Sequence, residues 1–284
     1  MVLSTPMRFL IVLFAATTGL LSHGATVSLP LQDGERLTYR VSWAIVPGAG
    51  EIRIEAQAEP ATGPPRLKIT TSTTTRNLAR LLLPFDAKAE SLFDRQTGKL
   101  VALTESSVAR EKRESHTVAF DHAARTARYE DTARGEPART LPFPDGDPVD
   151  LIMALLETRF WNLQPGEKRD VLVLFNDDFY ELTIHFARYE KLETRFGSFD
   201  TIVLEPRMDK TAPKGMFKRG STVRVWISQD EHRLPVRFEV EFKIGTGTAT
   251  LVSYLPPPVL KPSTAEAPAK TENSLAADAQ NPRP

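Results

Sequence analysis

Val236-Arg-Phe-Glu-Val-Glu-Phe-Lys-Ile244 carries an apolar side chain at every even position and a charged one at every odd position. Successive side chains of an extended chain point to opposite sides, so this stretch is a strand with one buried and one wet face. The alternation recurs along the chain. Leu37, Tyr39, Val41, Trp43 and Ile45 face one way, while Arg36, Thr38, Arg40 and Ser42 face the other. Ile52, Ile54, Ala56 and Ala58 alternate with Glu51, Arg53, Glu55 and Gln57. Further strands are expected at Leu67–Thr75, Ala87–Phe93, Leu100–Ser106, Ser115–Phe120, Thr126–Tyr129, Val171–Phe175, Tyr180–Tyr189, Leu192–Phe196, Thr201–Glu205, Thr222–Ser228 and Thr248–Tyr254.

The punctuation between them is short: Arg95-Gln-Thr-Gly98, Asn176-Asp-Asp178, Gly197-Ser-Phe-Asp200, Gln229-Asp-Glu-His232 and Gly245-Thr-Gly247. Such turns join antiparallel neighbours, because a parallel crossover needs about a dozen residues or more. The expected fold is all-β and mainly antiparallel, a strongly curved sheet or open barrel with one packed α-helix. A meander of this many strands must curl or split.

The helix stands out at about 148–163, where Val149, Ile152, Met153, Leu156, Phe160 and Leu163 recur at helical spacing. Asp147 is its expected N-cap, Pro148 its first residue, and Asp150 adds negative charge to the first turn. Gln164-Pro-Gly166 ends it, and a shorter helical turn is expected at Arg76–Leu83.

The two ends read differently. Arg8, an apolar run from Phe9 to Leu21, and the small residues Ser22 and Gly24 form a cleavable export signal over 1–24. That run is about 13 residues, short of the ~20 that span a bilayer. The expected destination is the periplasm, with no transmembrane anchor once the signal is cut. From Pro256 the chain turns to proline and alanine, with seven prolines and no aromatic residue, so 256–284 is an expected disordered tail. The folded domain is thus expected over 25–255.

Composition removes several functions. Thirty-six basic and 36 acidic side chains leave no net charge, which lacks the basic excess of a nucleic-acid binder. No cysteine is present, so disulfides, thiolate metal sites and thiol nucleophiles are excluded. There is no GxSxG, HExxH or phosphate-binding loop, and Gly245-Thr-Gly247 does not open a helix. His116, His122, His185 and His232 are scattered singly, and no metal or other cofactor is expected. Asp145, Asp147 and Asp150 have the start of a calcium loop without its closing glutamate, and a turn plus helix cap explains them.

Several short motifs, in order and spacing, resemble the bacterial exported family called domain of unknown function 3108. They are Gly34-Glu-Arg-Leu-Thr-Tyr39, Asp150-Leu-Ile-Met-Ala-Leu-Leu156 with Arg159, Gly197-Ser-Phe-Asp-Thr201 leading to Val203-Leu-Glu-Pro206, and Val225-Trp-Ile-Ser-Gln-Asp230 followed by Arg233-Leu-Pro-Val-Arg237. The resemblance implies an envelope-associated, all-β protein, and it carries over no catalytic residue.

The expected function is that of a non-enzymatic periplasmic binding or accessory protein. Its concave β face would hold a hydrophobic or amphipathic molecule, a lipid or glycan component of the envelope. Tyr39, Trp43, Phe238 and Phe242 are candidate lining residues. Trp226 is a fifth, because it shares the polar side of its strand with Thr222, Arg224 and Ser228, where a ring is either a ligand platform or packed under a loop. One alternative is a carbohydrate-active enzyme using Asp177, Asp178 and Asp230. The other is a structural scaffold whose proline-rich tail contacts a partner.

Overall fold

The computed structural model describes residues 27, 29–60, 62–213, 217, 221–242 and 245–258. The expected export signal and the tail beyond 258 lie outside these residues, as do Lys243 and Ile244. In chain order the elements are β1 (Arg36–Trp43), β2 (Val46–Ala58), β3 (Arg66–Thr75), α1 (Asn77–Leu82), β4 (Phe85–Asp94), β5 (Leu100–Ala109), β6 (Lys112–Asp121), β7 (Thr126–Asp131) and β8 (Arg139–Pro142). After α2 (Leu151–Glu157) and a single 3-10 turn (Thr158–Phe160) come β9 (Lys168–Phe175), β10 (Asp178–Glu193), β11 (Ser198–Arg207), β12 (Thr222–Ser228), β13 (Pro235–Phe242) and β14 (Gly245–Leu255).

The 14 strands of the described residues form one antiparallel sheet in the order β8-β7-β6-β5-β4-β3-β2-β1-β14-β13-β12-β11-β10-β9. The first and last strands of the described residues therefore meet in the middle of the sheet, where β1 pairs with β14. The edges are β8 and β9. They do not pair with each other, so the sheet curls without closing into a barrel. Side chains span the gap instead: Arg139 on β8 donates to Asp177 in the β9–β10 turn at 2.9 Å, and the rings of Phe143 and Phe179 lie 5.5 Å apart. The β9 edge is blunted by Val149, which bridges it in parallel through Val149 N–H to Leu172 O (3.1 Å) and Leu174 N–H to Val149 O (2.9 Å). An unpaired edge invites other chains, and this contact covers it.

The helix is shorter than its apolar spacing predicts, and it starts later. Asp150, not Asp147, caps α2, accepting from Met153 N–H at 2.9 Å. Asp147 instead pairs with Lys99 at 2.9 Å, and Val149 belongs to the sheet edge. At the far end Phe160 is exposed. What remains is two turns deep inside the curl, with Met153, Ala154 and Leu156 fully buried. A buried polar hub holds this end of the fold. Arg159 pairs with Glu35 at 2.8 Å and donates to the carbonyls of Pro30, His232 and Arg233. Arg233 returns the bonds by donating to the carbonyls of Arg159 and Trp161.

Three other expectations shift. β1 stops at Trp43, because Ala44 takes φ 47° and Ala44-Ile45 form a tight hairpin turn without the usual glycine or asparagine. Ile45 sits at its tip, 95% exposed. The expected strands Tyr180–Tyr189 and Leu192–Phe196 are the single strand β10, which turns its faces over at a bulge between Phe186 and Arg188. The four-residue β8, with no legible alternation, is an addition.

Candidate functional site

Cross-strand register builds the concave face of β3 to β7 in rows. The inner row runs Ile69, Ser91, Leu103, Val118, Tyr129. The next runs Thr71, Ala89, Glu105, His116, Asp131, and the outermost Thr73, Ala87, Ser107, Glu114. The face thus grades from apolar to small and polar within two residues along each strand. α2 fills the apolar part. Above it the small and polar rows leave a cavity of about 560 Å³, floored by Ile152 and Phe175.

Its far wall is a ladder of engaged groups. His116 Nε2 lies 3.0 Å from Glu105 Oε2, directly across the β5–β6 pair. The His116 ring stacks on Tyr129 with centroids 5.2 Å apart, and the Arg139 guanidinium covers Tyr129 at 5.0 Å. Arg139 then reaches Asp177 across the open seam of the sheet. Burial, helped by Asp131 and Asp177, raises the Tyr129 phenol above its ordinary value, so it stays a neutral hydrogen-bonding group.

Beneath the floor lies Asp150, which accepts from Ser91 Oγ at 2.6 Å and whose carboxyl is pushed up by burial. One helical face further on, Glu157 is pushed up to about 7, by burial first and by the charges of Asp150 and Asp147 second. No three histidine or acidic side chains gather in a metal-binding arrangement among the described residues.

Of the residues singled out from sequence, Tyr39 is closed inside the core, its hydroxyl donating to Pro235 O at 2.9 Å. Phe238 packs edge-on against it at 5.2 Å and is half-buried. Trp43 lies across Gly247, where a Cβ would sit 3.1 Å from its ring, and meets Phe242 at 5.5 Å. Trp226 is buried: its Nε1–H donates to Glu190 Oε1 at 3.1 Å and Arg237 covers its ring at 5.7 Å. These five do not gather in one place, and none borders the 560 Å³ cavity. Tyr39 and Trp226 are structural, because no face of either ring is free.

The carboxylates do not converge either. Asp177 faces the cavity, while Asp230 organises the β12–β13 turn by accepting from Ser228 Oγ and from the N–H groups of His232 and Arg233. Successive hairpins of a meander leave opposite ends of the sheet, which separates Asp230 from Asp177 and Asp178. Asp145 pairs with Arg125, so the three acids of the calcium-like stretch serve three different contacts.

Sequence reasoning missed His116, Glu105, Tyr129 and Arg139. A signal existed, because His116 alternates in phase with Val118 and Phe120 and so belongs to the inward side.

The model of a family described as a protein of unknown function, DUF3108, matches residues 38–252. No curated protein matches the sequence. Among solved structures the chain is similar to a β-barrel-like protein of the domain of unknown function DUF1849 from Brucella abortus. That match has a TM-score of 0.51 and 7% identity, covering 79% of this chain and 98% of that one, and it bears on fold alone. A proposed exported protein with a YmcC-like fold from Bacteroides fragilis aligns with TM-score 0.30 and 12% identity over 80% of this chain and 98% of its own. At that level nothing further follows from it.

Proposed function

The chain belongs to the DUF3108 family, and from that premise we propose that it is a non-enzymatic binding protein of the cell envelope, holding an amphipathic ligand in the cavity above α2. The observation that supports this is the cavity itself, about 560 Å³ on the concave face, with the apolar Ile152 and Phe175 at its floor and Tyr129, His116, Glu105, Arg139 and Asp177 along its wall. Sites for small ligands have this character: concave, partly apolar, with a few placed polar groups. Several of the polar lining groups already face partners, His116 lying 3.0 Å from Glu105 and Arg139 pairing with Asp177. That engagement supports holding a ligand over transforming it. The export signal expected over 1–24 supports a periplasmic setting for this binding.

The test is mass spectrometry of the organic extract of purified protein, beside Ala89→Trp, which fills the cavity from β4. A lipid or other amphiphile is expected in the wild-type extract and absent from the folded variant. A wild-type extract without any amphiphile, together with no saturable binding of a fluorescent fatty acid, would sink the reading.

A further inference from the structure

The connection from β3 to β4 is built against the usual rule for a short helix. α1 buries none of its residues, and Leu78, Leu81, Leu82 and Leu83 are 55%, 81%, 65% and 51% exposed. It is not loose, because polar tethers hold it. Arg76 N–H donates to Ala49 O at 2.8 Å and Asn77 Nδ2 to Gly48 O at 3.0 Å. Thr75 Oγ1 and Arg110 donate to the carbonyls of Leu83 and Leu82 at 2.9 and 3.1 Å. Four leucines are thus presented to the outside by a backbone fixed at both ends. The tip of the β1–β2 hairpin, with Ile45 fully outward, rises from the same end of the sheet. Single exposed apolar residues are ordinary, but a grouped, rigidly mounted set marks a contact surface.

What the surface meets is indicated by its charge. On the outer face, register places Trp226, Arg237, Thr250, Arg40 and Glu51 in one row across five strands. Arg76 joins the row through Glu51 at 2.8 Å, and Arg195 faces it from the β10–β11 hairpin across a cleft of about 840 Å³. Four arginines and two glutamates, Glu51 and Glu193, line this cleft. Glu51 is taken by Arg76 and Arg53, Glu193 by Ser198, and Arg80 on α1 is paired with Asp86. Arg40 and Arg195 have no carboxylate within ion-pair distance among the described residues, and the buried Nε of Arg237 has no acceptor. The cleft is therefore short of anions and begins where Arg76 and Asn77 lead into the leucines.

We propose that this end of the protein docks on a lipid bilayer bearing anionic phosphate headgroups, with the α1 leucines and Ile45 entering the interface and Arg40, Arg195 and Arg237 binding phosphates. Leucines beside arginines are the composition of an interfacial anchor, which combines apolar burial with attraction to anionic lipid. The docking end is also the mouth of the cavity, because Thr73 and Phe85, which flank α1 in sequence, line it. Docking of this end does not depend on whether the cavity holds a ligand.

The experiment is co-sedimentation of exported, N-terminally sequenced protein with phosphatidylethanolamine–phosphatidylglycerol vesicles and with phosphatidylcholine vesicles, at low and high salt. Binding is expected to the anionic vesicles, weakened by salt. It should fall by about tenfold or more in the Leu81→Asp/Leu82→Asp variant, and severalfold in Arg40→Gln/Arg195→Gln. Both variants alter exposed side chains and should keep the wild-type thermal midpoint. Failure of wild-type protein to bind anionic vesicles overturns the proposal, as does full binding by the leucine variant. A wild-type dimer that the leucine variant dissociates, with no vesicle binding, overturns it in favour of a second copy of this chain.

Discussion

The two arms of the sheet, β2 to β8 and β9 to β14, are made of the same kind of strand and are used differently. In the later arm the pattern of one wet face breaks down. Ile202, Val203 and Leu204 are consecutive and buried, and so are Val225, Trp226 and Ile227. Both faces of the sheet are packed there, the inner one against Leu155 and Trp161, the outer one around Trp226. In the earlier arm the alternation persists, and the inward rows turn from leucine and isoleucine to threonine, alanine, glutamate and histidine toward the open end. One arm is spent on stability and the other leaves room. The difference is one of side-chain size and polarity at inward positions, not of topology.

The most severe way to break this arrangement is through the helix the two arms share. Leu156→Asp should prevent folding of the whole domain, because a carboxylate there is buried without a partner or expels the helix. Either costs several kcal/mol against a total of ~5–15. Urea unfolding followed by circular dichroism and tryptophan fluorescence checks it, and a native spectrum with a loss under ~1 kcal/mol would make the helix peripheral. Next comes the hub at the closed end. Arg159→Met alone strands the Glu35 carboxylate and should cost about 3–5 kcal/mol, whereas the double change Arg159→Met/Glu35→Gln should recover a large part of it. A double variant no better than the single would show that the carbonyl contacts of Arg159, not the ion pair, hold that end. Trp226→Ala should cost a similar ~3–5 kcal/mol by emptying a packed site on the later arm. A loss below ~1 kcal/mol by urea unfolding would mean the ring is dispensable there.

Fold and site differed in how far the sequence disclosed them. Alternation over eight or nine residues, as at Val236–Ile244, is a direct imprint of the pleat and yielded the strands and their antiparallel sense. Helical spacing located α2 but overran it at both ends, since Val149 and Phe160 fit the spacing while one is drawn to the β9 edge and the other to the surface. Trp226 shows a signal present but differently weighted: an unbroken Val225-Trp-Ile227 marks a strand buried on both sides. The cavity was least legible, because its wall depends on which strands face each other across the unclosed seam. Arg139 meets Asp177 only because β8 and β9 curl together, and nothing local in either segment encodes that.

Two smaller effects sharpen the comparison. Glu157 has a folded-state value of about 7, above the ordinary carboxylate range, so the folded protein holds its proton more tightly than the unfolded chain. Its contribution is full below the ordinary range and is lost as pH rises toward 7, so stability should fall across that window by on the order of 2 kcal/mol. Asp150, shifted the same way, adds to this trend. Glu157→Gln should flatten the profile measured by urea unfolding between pH 4.5 and pH 7.5 (roughly the span between the two values); an unchanged slope would remove Glu157 as its source. The smallest effect is a matched pair of enlargements. Ala249→Leu, in the core of the later arm, should cost about 1–3 kcal/mol by overpacking, while Ala89→Leu, facing the cavity, should change stability by under ~0.5. Equal costs would mean that the earlier arm has no more room than the later one.

The pairing of β1 with β14 sets a schedule for biogenesis. β1 waits for β14, and the Tyr39–Pro235 hydrogen bond already spans 196 residues. Contacts this distant in sequence form slowly, since the loop must close before they can contribute. Until β14 has been made, β1 presents one bare edge with the apolar Leu37 and Tyr39 beside it, a template for any passing strand. A chain translocated in the unfolded state would meet this hazard outside the cytoplasm, so the interval between emergence of β1 and arrival of β14 is when a chaperone would matter most, and when truncations near the end of β14 would turn a folding protein into an aggregating one.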